Sequence, residues 1–79
     1  MIEKDDLLNL IISDINSMET ALQVNGVVFY VEPIENNLEV YFPNSDEILK
    51  FKDFNDLIEN FIINGKPLKE QLDNLDYKW

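Results

Sequence analysis

The clearest pattern in the chain is an amphipathic stretch that begins after Asp53. Its apolar residues share the spacing of one buried helix face: Phe54, Leu57, Ile58, Phe61 and Ile62. Asp53 is a favourable N-cap because its carboxylate accepts a hydrogen bond from the unpaired amides of the first turn. Asn64-Gly65, followed by Pro67, is typical of a helix end. The sequence therefore predicts a helix between Asp53 and Asn64.

Residues 4 to about 18 predict a second amphipathic helix, at the start of the chain. Its apolar stripe consists of Leu8, Ile11, Ile12, Ile15 and Met18, with Leu7 and Leu22 near its ends. Asp5 and Asp6 lie in its first turn, where the helix dipole favours negative charge. The stripe is interpreted as a face that packs on the core, rather than on a membrane or a partner helix.

Residues 20–31 admit two interpretations. The first helix could continue through Ala21-Leu22, or residues 20–24 and 27–31 could form a hairpin that turns at Asn25-Gly26. The hairpin is favoured, because both turn residues tolerate the positive φ of a type I′ turn. Pro33 then ends this strand or lies at a sheet edge, since it has no amide to donate.

Further strands are predicted at residues 38–42 and 48–52, and Pro67 opens a last short helix. Leu68, Leu72 and Leu75 form the face of that helix, and Tyr77 and Trp79 are expected to fold back on the core. The fold class is α+β, with residues 1–79 in a single domain. It comprises an N-terminal helix, an antiparallel sheet of three to four short strands, and one or two C-terminal helices on one sheet face.

Strand alternation leaves the other sheet face open to solvent. The residues expected there are Val28, Tyr30, Glu32, Glu39, Tyr41, Lys50 and Lys52. Tyr30 and Tyr41, lying among charged residues, are candidates for binding a partner. The alternative is ordinary cross-strand packing and salt pairing on a solvated sheet.

Composition narrows the functional classes. The chain carries 16 acidic and 6 basic residues, a net charge of −10, and has neither Arg nor His. Direct binding to nucleic acid or to an anionic membrane is disfavoured, since both need a basic surface. The acidic start and the short, interrupted apolar run after it resemble neither a signal peptide nor a membrane span, so a cytoplasmic location is expected.

Catalysis is not expected. Without His or Cys, the usual general base and the imidazole and thiolate metal ligands are missing. Gly26 and Gly65 are the only glycines, so no phosphate-binding glycine loop exists. We therefore predict no catalytic residue, no cofactor and no metal site.

The acidity itself suggests mimicry, in which carboxylates arranged like phosphates occupy the groove of a nucleic-acid-binding protein. The acids are spread evenly along the chain, so a mimic would have to assemble them by folding. The candidate acids on exposed helix and loop positions are Asp5, Asp6, Asp14, Glu19, Glu35, Asp46, Glu47, Asp56, Glu59, Glu70 and Asp73. Seven of these acids are predicted to bind the partner: Asp56, Glu59, Glu70, Asp73, Glu35, Asp46 and Glu47.

In size, acidity and element order the chain is similar to small proteins of AT-rich Gram-positive bacteria and their phages. These include small anti-CRISPR inhibitors, which fill the DNA-binding site of a nuclease. The phenylalanines before Asn64-Gly65-Lys66-Pro67-Leu68 belong to this likeness. The resemblance implies an inhibitor and assigns no role to individual residues.

Two functions are thus in competition. One is a non-catalytic protein-binding module, of the phage or mobile-element inhibitor type, whose acidic surface occupies the nucleic-acid-binding site of a basic host protein. The alternative is a small cytoplasmic interaction protein that homodimerises, or binds a partner, through the open sheet face. In that alternative the acidity serves solubility alone.

Overall fold

The structure, a computed structural model, describes residues 4–78. Helix α1 spans Lys4–Ile15 and helix α2 spans Phe54–Asn60, and a 3-10 helix spans Leu68–Asn74. The strands are β1 Thr20–Val24, β2 Val27–Ile34, β3 Asn37–Tyr41, β4 Ile48–Phe51, β5 Ile62–Ile63, β6 Lys66–Pro67 and β7 Leu75–Tyr77. The prediction of an α+β fold is confirmed.

Five strands form one antiparallel sheet in the order β4-β3-β2-β1-β7. The sheet thus has more strands than the three to four predicted, because the end of the chain adds β7 beside β1. Strands β5 and β6 form a separate two-stranded hairpin. The core joins the helices to one face of the sheet, as alternation predicted.

Helix α1 ends at Ile15, about one turn earlier than predicted. Ile11 and Ile15 are buried, whereas Met18 lies beyond the helix and is 57% exposed. The amides of Ser17 and Met18 both donate to the Asp14 carbonyl, which forms a tight turn. Strand β1 begins at Thr20, shortly after this turn, and so Met18 does not continue the buried stripe.

The hairpin interpretation of residues 20–31 is confirmed, with β1 and β2 paired from Thr20–Val31 to Val24–Val27. Asn25 and Gly26 take positive φ values of 48° and 85°, as a type I′ turn requires. Strand β2 nevertheless continues through Pro33 to Ile34. Pairing with β1 stops at Val31, so Pro33 has a neighbouring strand on one side only and interrupts no central ladder.

Helix α2 begins as predicted but ends early. The Asp53 carboxylate caps it by accepting from the Asp56 amide at 2.9 Å. The helix stops at Asn60, and Phe61 takes an extended conformation. Asn64-Gly65 is the turn of the β5–β6 hairpin, with φ of 55° and 81°, and does not terminate a helix. Ile62 is therefore 57% exposed, contrary to its predicted place on the buried face.

The C-terminal segment also differs from prediction. Pro67 precedes a 3-10 helix, and Leu68, the first residue of that helix, is buried. Leu75 is buried on β7 and not on a helix face. Tyr77 packs on the helix side of the sheet and its hydroxyl donates to Asp14 of α1, whereas Trp79 lies outside the described residues.

The buried amide of Gln71 joins the two Asn-Gly turns. Its Nε2 donates to the carbonyl oxygens of Ile63, at 2.8 Å, and Lys66, at 3.1 Å. Its Oε1 accepts from Asn25 Nδ2 at 2.8 Å. One side chain thus fixes the β5–β6 hairpin against the β1–β2 turn, and the hydrogen bonds offset the cost of burying an amide.

Phe61 lies at the centre of an aromatic cluster in the core. Its ring centroid is 5.1 Å from that of Phe29, in an edge-to-face arrangement, 5.8 Å from Phe51 and 6.0 Å from Phe42. These contacts join the end of α2 to three segments of the sheet and its loops. Phe61 is 1% exposed.

We expect Phe61→Ala to lower the free energy of unfolding by about 3–5 kcal/mol, because it leaves a large cavity in the core. Ile62→Ala is the matched control on the next residue, and should change stability by less than about 1 kcal/mol because that side chain is already largely in water. Urea denaturation followed by far-UV circular dichroism measures both. Equal losses for the two variants would contradict this placement of the core.

Candidate functional site

The open sheet face carries a stacked pair of tyrosines. Tyr30 and Tyr41 lie directly opposite each other on β2 and β3, with ring centroids 5.2 Å apart and planes inclined by 20°. Ala21 of β1 and Ile48 of β4 complete the same row. We call the open face around this pair the tyrosine face, and define it by Val28, Tyr30, Glu32, Glu39, Tyr41, Ile48 and Lys50.

Both rings are half-buried, and Ile48 beside them is 56% exposed. The helices pack on the opposite side of the sheet, so no element of residues 4–78 covers these side chains. The prediction that Tyr30 and Tyr41 lie on an open face is thereby confirmed in geometry. The surface offers aromatic area to solvent.

Tyr41 is anchored by a carboxylate. Its hydroxyl donates a hydrogen bond to Oε2 of Glu19, which precedes β1. This hydrogen bond, with smaller effects of burial and of the charges on Glu19 and Glu32, raises the pKa of Tyr41 to about 12. By contrast, the Tyr30 hydroxyl has no hydrogen-bond partner within residues 4–78 and is available to a ligand.

Two glutamates of the tyrosine face oppose each other across the β2–β3 ladder. Glu32 is paired in register with Glu39, which places like charges side by side. Lys50 on β4 lies opposite Glu39 with its Nζ 3.9 Å from Oε2, a loose ion pair with a largely exposed lysine. Glu32 makes no ion pair within residues 4–78. The face is therefore left with an excess of negative charge.

A concavity of about 370 Å³ lies at this end of the face. It is lined by Glu32, Glu39, Tyr41, Ser45, Asp46 and Ile48. Its walls combine carboxylates with aromatic and aliphatic surface, and the β3–β4 loop supplies Ser45 and Asp46. Of the seven acids predicted to bind the partner, Asp46 is the one that the fold brings to Tyr41, and Glu19, another candidate acid, is bonded to the same tyrosine.

Four other predicted acids lie on the helix side of the sheet. Asp56 and Glu59 belong to α2, whereas Glu70 and Asp73 belong to the 3-10 helix, which contacts α2. All but Asp56 are exposed. We call this set the helix-side patch.

Two members of the helix-side patch already have partners within the chain. The Asp56 carboxylate accepts from the Lys52 amide at 2.8 Å and from Asn60 Nδ2 at 2.6 Å, and these bonds lower its pKa. Glu59 forms an ion pair with Lys69 at 2.8 Å, which raises the pKa of the lysine. Asp56 therefore holds the start of α2, and reversing its charge would disturb the helix.

The remaining two predicted acids, Glu35 and Glu47, are separated by the length of β3. Glu47 is exposed in the β3–β4 loop, and its amide donates to the Ser45 hydroxyl at 3.1 Å. Glu35 occupies the two-residue turn between β2 and β3 with φ of 55°, a conformation that costs a non-glycine residue energy. It also lines a second concavity, of about 270 Å³, with Asn16, Pro33, Asn36, Asn37, Leu38, Lys52 and Asp53.

Comparisons with family models, curated proteins and solved structures gave no match for this chain. Residues 4–78 contain no cluster of three or more acidic side chains arranged to hold a metal ion. No helix in that part of the chain is long and apolar enough to cross a membrane.

We expect Glu32→Gln to stabilise the free protein by roughly 0.2–1 kcal/mol, because it removes the repulsion between facing carboxylates. The control Glu47→Gln removes the same charge from a loop without a facing strand. Urea denaturation at low salt measures both variants. A Glu32→Gln protein that is no more stable than the Glu47→Gln protein would show that the facing pair costs nothing.

Stability should also fall in alkali. Burial and a hydrogen bond to Asp14 raise the pKa of Tyr77 from its ordinary value of 10.0 to about 12. The hydrogen bond to Glu19 raises the pKa of Tyr41 to about the same value. A raised pKa contributes stability that is complete below pH 10 and is lost as the pH rises towards 12. We expect the free energy of unfolding to decline over this range.

The control for this pH effect is the set of phenylalanine variants. Tyr41→Phe combined with Tyr77→Phe should flatten the decline, since neither hydrogen bond remains to be lost. Tyr30→Phe should keep it, because the Tyr30 hydroxyl donates to no carboxylate within residues 4–78. If the free energy of unfolding declined equally steeply with pH in the double variant and in the unmodified protein, this interpretation would be wrong.

Proposed function

We propose that this protein is a non-catalytic module that binds a basic partner protein. The observation that supports this proposal is that few carboxylates in residues 4–78 are paired with a lysine of the same chain. Within residues 4–78 two carboxylates, those of Glu39 and Glu59, lie within ion-pair distance of a lysine, against a chain charge of −10. Such a surface attracts a positively charged protein and speeds its association.

The class of partner that best fits this charge is a nucleic-acid-binding protein in the cytoplasm. Its own ligand is a polyanion, so its binding site already presents lysine and arginine side chains to negative charge. A carboxylate surface that occupies this site would exclude nucleic acid and act as a DNA mimic. Inhibition of a host protein by a phage or mobile-element product is the biological role we propose.

The fold offers two acidic surfaces for such a partner, the helix-side patch and the tyrosine face. Both are built from separate segments, and they lie on opposite sides of the sheet. The helix-side patch presents Glu70 and Asp73, which are exposed and have no ion-pair partner within residues 4–78. The tyrosine face adds aromatic surface to its carboxylates.

The test is affinity capture from a lysate of an AT-rich Gram-positive host. We expect the module to retain a stoichiometric nucleic-acid-binding protein at about 0.1 M salt. The same protein should be lost at about 0.5 M salt, because salt then screens the charges more strongly. Mass spectrometry identifies the partner. Duplex DNA added to the purified complex should displace the module, because both ligands occupy one site. A partner that binds DNA and the module together would contradict mimicry.

The competing proposal is a homodimer formed through the tyrosine face. The observation that favours it is the exposed apolar area of Ile48 beside the two tyrosine rings. Analytical ultracentrifugation at both salt concentrations distinguishes the two proposals. A dimer that survives high salt and is lost on Tyr30→Ala with Tyr41→Ala would replace the acidic-surface proposal.

A further inference from the structure

We infer that the tyrosine face is the surface that binds the basic partner, and that it does so by receiving arginine side chains between its carboxylates and tyrosine rings. This inference rests on the proposed function, because it specifies where and how the basic partner is bound. It assigns the face one occupant, a partner segment that carries arginine.

The tyrosine face has no partner within the described chain. The helices cover the inner side of the sheet, and the core contains the inward residues of β1 to β4. The outer side keeps two half-buried aromatic rings and an isoleucine that is 56% exposed. Aromatic side chains are enriched at the centres of protein interfaces.

The charge of the tyrosine face favours a cationic ligand. Glu32 and Glu39 are held side by side, and Glu19 is bonded to the Tyr41 hydroxyl. Lys50, the one lysine among the seven residues that define the face, has its Nζ 3.9 Å from Glu39 Oε2 and extends largely into solvent. A cationic side chain placed between the two glutamates would relieve their repulsion. The face is therefore more complementary to a cation than to a second copy of itself.

The chemistry of the tyrosine face distinguishes between arginine and lysine. A guanidinium group is planar, stacks on an aromatic face and donates paired hydrogen bonds to carboxylates. The concavity of about 370 Å³ presents both elements, the Tyr41 ring and the carboxylates of Glu32, Glu39 and Asp46. A lysine ammonium can use the charge but gains less from the ring plane. The geometry thus favours arginine over lysine.

The test uses the whole chain, labelled with ¹⁵N, and two blocked peptides of equal length in which Gly alternates with Arg or with Lys. Titration is followed by the chemical shifts of backbone amides. We expect the arginine peptide to shift residues of the tyrosine face in β2, β3 and β4, and to bind at least about threefold more tightly than the lysine peptide, a modest cation–π preference.

Two variants of matched charge locate the site. Glu32→Gln with Glu39→Gln, and Glu70→Gln with Asp73→Asn, each remove two carboxylates. The first should weaken arginine-peptide binding about tenfold, a loss equivalent to about 1.4 kcal/mol, and the second by less than about twofold. Tyr41→Leu keeps apolar area on the strand but removes the ring, and should also weaken binding.

The opposite pattern would overturn the inference. Shift changes centred on α2 and the 3-10 helix, or a larger loss for the Glu70 and Asp73 variant, would place the basic partner on the helix-side patch. Equal affinity for the arginine and lysine peptides would overturn the assignment to arginine. In each case salt-sensitive capture of a DNA-binding partner would still support the proposed function, whereas absence of that capture would refute the proposed function itself.

Discussion

The packing of Phe61 is the contact on which the rest of the fold depends. Its ring meets Phe29, Phe42 and Phe51, so one side chain at the end of α2 holds β2, the β3–β4 loop and β4 together. The helix ends at Asn60, Phe61 takes an extended conformation, and the β5–β6 hairpin follows it along the chain. In a chain of 79 residues the core is small, and each large side chain carries a sizeable share of its stability.

Covering one face of the sheet leaves the other to water, and there two like charges face each other. Glu32 lies opposite Glu39 across β2 and β3, next to the stacked tyrosines. Glu35 adopts a left-handed conformation at the turn that joins the same two strands, away from the tyrosines. Local conflicts tend to concentrate where a surface serves function rather than folding, and the position of the Glu32–Glu39 pair is one reason for our proposal that this face binds a partner.

The candidate site could be predicted from the sequence only in part. Alternation along the strands is sufficient to place Tyr30 and Tyr41 on one open face, since side chains in a strand point to opposite sides in turn. Glu19 and Asp46 lie outside the strands, so no period relates them to the tyrosines. Their approach to Tyr41 depends on the register of β1, β2 and β3 and on the path of the β3–β4 loop.

The sequence by itself determined the α+β class, the first helix, the hairpin at Asn25-Gly26 and the N-terminal cap of α2, because each depends on neighbours within a few residues. Tertiary structure decided the end of α2, the second turn at Asn64-Gly65 and the fifth strand of the sheet. Asn-Gly serves a helix end or a hairpin equally well. The hairpin is held by a distant residue, Gln71, whose buried amide bonds it to the β1–β2 turn.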